Sequence, residues 1–257
     1  MTAIHAATSR PGTRIVVCGH SHCSCLHFSV DRALAEAKDI EYLFQGLAPP
    51  EATPEGEAYW SGVVALAAAS RVVLSWNGNE HNSRFLLEAT PPFRVAHETS
   101  PDMNMTADIQ FVPVEAVRAL YGPGIDDMSR RIAAIQAAGP ESLFCLEPPP
   151  PLPDGEALRS RILREQLFMD VAARRGLDLA TMPLTRFEVR ASLRAVICDL
   201  RREACARLGA TLVPAPAASM DEHGALLEQY WSQDATHANA AYGELVWKSL
   251  LQSGPTA

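Results

Sequence analysis

Arg14-Ile15-Val16-Val17-Cys18-Gly19-His20-Ser21 is the stretch on which the fold turns. Its apolar residues run without polar alternation, the pattern of a parallel strand covered on both faces. Gly19 ends the run, and the polar pair His20-Ser21 follows at once. A first strand therefore delivers a serine to its C-terminal edge.

Working outward, Ser29 to Lys38 mixes alanine and leucine with charge as an amphipathic helix does, and Ile40 to Phe44 reads as a second strand closing on Gly46. Pro49-Pro50 breaks the chain before a helix from Glu55 to Ala69 and a third strand from Arg71 to Trp76. That strand runs into the turn-forming cluster Asn77-Gly78-Asn79-Glu80-His81-Asn82. Residues 83–113 show no clear period. Helical spacing returns from Val114 to Ala137 with an expected break at Gly122-Pro123-Gly124, and a fourth strand, Ser142 to Glu147, is stopped by four prolines. Helices follow at Glu156 to Arg175 and Phe187 to Leu208, then a short fifth strand at Thr211 to Val213 and a final helix from about Asn239 to Leu251.

Strands alternating with helices of this length predict an α/β architecture with a mostly parallel sheet and helices on both sides. Ligands in such sheets sit at the C-terminal strand ends. Ser21, Gly46 and Asn79 each follow a predicted strand, so three pieces of chain converge on one edge. The expected organisation is a flexible N-terminus over 1–12, one domain over 13–252, and a tail over 253–257. Residues 83–113, starting at the site edge and lacking a period, read as a loop or lid insertion.

The 257 residues, 47% hydrophobic and 20% charged, suffice for one large core. A formal net charge of −8 leaves no basic stripe for phosphates, so nucleic acid and anionic membrane surfaces are unexpected partners, and a small-molecule ligand fits better. The first twelve residues lack a secretory apolar core, and a cytoplasmic location is expected. Six cysteines, mostly in apolar stretches, do not imply a disulfide framework.

The C-terminal Asp234-Ala-Thr-His237 supplies what Ser21 lacks. A serine hydroxyl is a poor nucleophile until a neighbouring base takes its proton, and an imidazole held by a carboxylate is such a base. Asp234 and Thr236 also stand where a helix cap belongs. With Gly19-His20-Ser21, Gly46, Asn77-Gly78-Asn79-Glu80 and Asp234-Ala-Thr-His237 in this order, the chain resembles the SGNH hydrolase superfamily, the GDSL-type esterases and lipases. His20 stands where that family's first block has aspartate, and Asn77 and Glu80 where its third has glycine and aspartate.

The resemblance implies a three-layer α/β/α sandwich with a central, mostly parallel five-stranded sheet of flavodoxin-like type. It also implies a triad of Ser21, His237 and Asp234, and an oxyanion hole from the backbone N–H groups of Ser21 and Gly46 with the Asn79 side chain. No cofactor is expected. The ester would be a small acyl ester or an O-acetylated carbohydrate. An acyltransferase using the same residues and a lapsed binding module of the same fold are the alternatives.

Other residues are weighed against this frame. His20, His22 and His81 are expected near substrate, and Trp231, just before the Asp234 block, is the tryptophan expected to line the pocket. Trp60, Trp76 and Trp247 read as core or cleft wall. Thiolate and imidazole are zinc ligands, but the spacing of Cys18, His20, His22, Cys23 and Cys25 differs from a C-x-x-C pair, and no metal is expected.

Overall fold

A computed structural model describes residues 13–35, 39–50, 52–77, 80–88, 91–96 and 109–252. Five strands, β1 (Thr13–Gly19), β2 (Ile40–Phe44), β3 (Arg71–Ser75), β6 (Ser142–Leu146) and β7 (Thr211–Val213), form one parallel sheet in the order β2-β1-β3-β6-β7. The order reverses direction between β1 and β3. Their C-terminal ends thus flank the switch point at which such sheets bind ligands.

The period-two alternation of β1 assigns the layers. Ile15 and Val17 point into one core with Val73, Phe144 and Leu146, covered by α1 (Ser24–His27), α6 (Glu156–Ile162), α7 (Gln166–Arg175) and α9 (Ala240–Gln252). Val16 and Cys18 point into the other with Val72, Leu74 and Leu143, under α3 (Pro54–Ala67), α5 (Val114–Ala137) and α8 (Phe187–Leu208). The result is the expected α/β/α sandwich. Among the described residues, no helix is long and apolar enough to cross a membrane.

Several elements depart from the sequence reading. The helix expected over 29–38 is one short turn, α2 (Val30–Ala33), preceded by α1, and residues 36–38 lie outside the description. The break expected at Gly122-Pro123-Gly124 does not occur, and α5 runs through Pro123. A proline inside a helix costs about 3 kcal/mol, but Val117, Tyr121, Met128, Ile132 and Ile135 are buried on either side of it. Burying side chains of this size stabilises by ~1.5–3 kcal/mol each, so the helix continues.

The helix expected over 156–175 divides into α6 and α7 because Glu165 takes an extended conformation between them. Residues 83–113 are not irregular throughout. They begin at the end of α4 (Glu80–Ser83) and include a two-stranded parallel ribbon, β4 (Phe93–Ala96) with β5 (Gln110–Pro113). Leu86 and Leu87 are buried in the first core, while Phe85, Phe93, Val95 and Val112 pack on a third cluster between α5 and α8. The described parts of this segment are therefore seated on the core. The expected N-terminus, 1–12, and tail, 253–257, lie outside the described residues.

Candidate active site

At the end of β1, Gly19 has φ +121, and a Cβ there would lie 2.1 Å from the Ser75 carbonyl oxygen at the end of β3. Only glycine permits that approach. The His20 N–H donates to the same carbonyl at 2.8 Å, so the chain leaves the sheet and enters the 3-10 turn Ser21–Cys23. Ser21 is its first residue.

The expected base, His237, comes from the other end of the chain. Residues 232–237 form a loop closed by the antiparallel bridge between Trp231 and Ala238, with the Ser232 N–H donating to the His237 carbonyl at 3.1 Å. Asp234 Oδ1 accepts from the N–H groups of Thr236 and His237 at 2.8 and 2.7 Å, so the carboxylate organises its own loop. Glu165 braces the loop from below, accepting the Ala235 N–H at 2.5 Å. Burial raises the Glu165 carboxyl above its ordinary value, opposed by that bond and reinforced by the charge of Asp234. Capping of α9 falls to Asn239, whose Oδ1 accepts from the N–H groups of Ala241 and Tyr242, and not to Asp234 or Thr236.

These two pieces meet. Ser21 Oγ lies 2.7 Å from His237 Nε2, and His237 Nδ1 lies 3.0 Å from Asp234 Oδ1. Because a carboxylate only accepts, Nδ1 carries the imidazole proton and Nε2 accepts from the serine hydroxyl. Burial pushes the Asp234 carboxyl up, but the His237 bond and charge and the two backbone N–H groups outweigh it and hold the carboxyl well below the usual range. His237 and Asp234 side chains remain 28% and 32% exposed, so solvent reaches the site.

The turn after β2 is tied to the serine loop. Gly46 has φ +83, and the Tyr59 hydroxyl of α3 donates to its carbonyl at 3.1 Å while accepting the Gly19 N–H at 2.8 Å. Among the described residues, the backbone N–H groups of Ser21 and Gly46 donate to no acceptor. The expected oxyanion residue Asn79 lies outside the described residues, as does Gly78.

The histidines expected near substrate sit elsewhere. His20 Nδ1 accepts the Asn77 N–H at 3.0 Å, and its ring packs edge-on against Trp76 at 4.9 Å, so it props the turn after β3. His22 is buried, its ring 4.5 Å from that of His237. Burial, then the nearby His237, His81 and Arg201, lower its pKa well below the imidazole value, against an opposing pull from Asp234. Burial thus disfavours a positive charge on His22 beside His237. His81 is 0% exposed, and among the described residues neither ring nitrogen finds a partner. The turns after β1 and β3 direct both side chains inward, His22 to the lining of a small cavity with Cys25, Ser75 and Tyr242.

Trp231 does line a cleft, with its indole N–H donating to the Leu226 carbonyl at 2.6 Å. Trp60, Trp76 and Trp247 are core residues. Cys18 Sγ donates to the Val73 carbonyl and Cys25 Sγ to the His22 carbonyl, and burial pushes the Cys23 and Cys25 thiols up to about 12. Such thiols are poor ligands and nucleophiles. Tyr59 and Glu165 were not singled out by sequence, since each acts through a contact far along the chain; Asn239 carried a local signal, an asparagine at a helix start, and was read only as the start of that helix.

No family model and no curated protein matches the sequence. Solved structures do match in shape. A GDSL-like lipase from Bacteroides thetaiotaomicron superposes with a TM-score of 0.51 at 11% identity, over 94% of this chain and 87% of that one. A variant of a Geobacillus acetyl-xylooligosaccharide esterase gives 0.52 at 10% identity, over 95% of each. A candidate acylhydrolase from Bacteroides fragilis gives 0.53 at 10% identity, over 96% and 90%. The chain has the SGNH-hydrolase fold.

Proposed function

We propose that the chain is a serine esterase of the SGNH type. The observation that carries this reading is the unbroken run of short contacts, Ser21 Oγ to His237 Nε2 at 2.7 Å and His237 Nδ1 to Asp234 Oδ1 at 3.0 Å. Such a run places a nucleophile, a base and its orienter in hydrogen-bond reach. The fold shared with a GDSL-like lipase and an acetyl-xylooligosaccharide esterase supports it.

In this reading Ser21 Oγ bonds to the ester carbonyl carbon as its proton passes to His237 Nε2. Asp234 stabilises the imidazolium. Negative charge on the former carbonyl oxygen is met by the Ser21 and Gly46 N–H groups, together with the Asn79 side chain; losing one such donor typically costs about 10²–10³ in turnover. His237 then returns the proton to the leaving alcohol oxygen as the ester C–O bond breaks. Water attacks the acyl-enzyme with the same histidine as base, and the acid is released. The exposure of His237 and Asp234 favours water over an excluded acceptor. The substrate class is a small acyl ester or O-acetylated carbohydrate.

A fluorophosphonate probe tests the nucleophile directly. Wild type should be labelled and Ser21→Ala should not, with circular dichroism unchanged between them. Equal labelling of both proteins would overturn the assignment, and an ester and O-acetyl-glycan panel would then define the substrate only if the first result holds.

A further inference from the structure

Beside the loop that carries the base lies a cleft of about 640 Å³ lined by Arg161, Arg164, Trp231, Ser232, Gln233 and Asn239. Its polar groups are unevenly committed. The Asn239 amide is occupied, donating to the Gln229 and Trp231 carbonyls and capping α9. Ser232 Oγ donates to Asp234 Oδ2 at 3.1 Å.

Arg161 is anchored through two of its nitrogens, leaving Nη2, and Arg164 through Nε alone, leaving its Nη1–Nη2 edge. Arg161 donates through Nε to the Ser232 carbonyl at 3.2 Å and through Nη1 to the Ala157 carbonyl at 3.0 Å, and its Cζ stands over the Trp231 ring, 4.9 Å from the centroid. Arg164 donates through Nε to the Ser160 carbonyl at 3.0 Å. Among the described residues neither faces a carboxylate, and Glu165, the acid next to Arg164, is turned under the triad loop to Ala235. Both line one cleft of a chain whose 30 acidic residues outnumber its 22 basic ones. Stacking on an indole also fixes a guanidinium in place, which lowers the cost of ordering it around a ligand.

We propose that this cleft is a subsite for a carboxylate carried on the substrate, held by the Nη1–Nη2 edge of Arg164 and by Nη2 of Arg161, whose guanidinium stands over Trp231. Guanidinium forks match carboxylates bidentately. Ser232 and Gln233, which line the cleft, immediately precede Asp234, so an anion seated there lies along the same loop as the base. The catalytic consequence rests on the serine-esterase reading; the binding itself does not.

The test compares two aryl esters of matched acyl length, 4-nitrophenyl hemiglutarate with its free carboxylate and neutral 4-nitrophenyl pentanoate, at low and high salt. Wild type should favour the anionic ester in kcat/KM by about tenfold or more, the worth of a charge-assisted hydrogen bond, and the preference should shrink as salt screens it. The ratio should fall toward unity in Arg164→Gln and further in Arg161→Gln with Arg164→Gln. An unchanged ratio in the double variant, or a wild-type preference for the neutral ester, would overturn the subsite. Calorimetric titration of glutarate into the full chain separates the two readings. If wild type hydrolyses neither ester, glutarate binding that is lost in Arg164→Gln still supports the subsite, and absence of wild-type binding refutes it.

Discussion

Gly243 sits one turn into α9, where a Cβ would lie 2.1 Å from the carbonyl oxygen of Cys25 in α1 and 2.6 Å from Ser29 Oγ. Carbon and oxygen settle at roughly 3.3–3.6 Å in such close approaches, so Gly243→Ala must open the pair of helices by about 1 Å or more. The obstructing atom is backbone and cannot rotate away, and Ser29 Oγ is already committed to the Cys25 and Leu26 carbonyls. Overpacking of this kind costs about 1–3 kcal/mol, which for a chain of this size corresponds to a Tm drop of roughly 2–12 °C. The effect on chemistry should be larger. The turn holding Ser21 runs directly into α1, and α9 starts three residues after His237, so the 2.7 Å contact between them is set by how closely these helices pack. A displacement near 1 Å breaks that contact and should lower kcat/KM on an aryl acetate by about 10²-fold, with an equal loss in the rate of fluorophosphonate labelling. Glu244→Ala, which removes only a surface pair with Arg32, serves as the control. A Gly243→Ala protein with wild-type labelling rate and unchanged Tm would refute the idea that this contact spaces the nucleophile from its base.

Asp234→Asn should lose activity by roughly 10²–10⁴, because the amide no longer selects the tautomer with Nε2 free. The native carboxyl is held below its unfolded value, so its stabilising contribution is fully present above the ordinary carboxylate range, near 3.9, and disappears only as pH falls through the depressed native value. Thermal melts should therefore show wild type above the variant at pH 7 and the gap closing below about pH 4; a gap independent of pH would contradict this. Tyr59→Phe removes the acceptor for the Gly19 N–H and the donor to the Gly46 carbonyl. With two hydrogen bonds at ~0.5–1.5 kcal/mol each, the cost in urea melts should be about 1–3 kcal/mol. It should also lower kcat more than it raises KM, since ground-state contacts with the ester are untouched; the reverse split would show that Tyr59 does not hold the two loops in register.

The sheet was legible because its strands are nearly all apolar runs bounded by Gly or Pro, and Val16 and Val17 facing opposite cores is what such a run encodes. Asp234 and His237 were legible because three residues of spacing put them in the same loop. What escaped reading acts across the fold. Tyr59 meets Gly19 from 40 residues away and Glu165 meets Ala235 from 70, and neither carries a local pattern that announces the contact. His22 and His81 were read as substrate contacts from their proximity to Ser21 and Asn79, but adjacency in a turn does not fix direction, and both rings point into the protein. Pro123 looked like a stop because its local cost is visible in sequence, whereas the burial that offsets it comes from α3 and α8. The ribbon within 83–113 was missed because four-residue strands give too few repeats for a period to emerge.

Ser21 and His237 are 216 residues apart in the chain. A ribosome adds about 5–20 residues per second, so the serine is exposed for roughly 10–40 seconds before the histidine that would activate it has been made. Through that interval it is an ordinary alcohol on an unfinished sheet, unable to acylate itself on any ester it meets. An N-terminal fragment from stalled synthesis or early cleavage stays equally inert. In the serine-esterase reading, hydrolytic competence waits until His237 has been made and α9 has docked, and the appearance of activity during translation would report that docking.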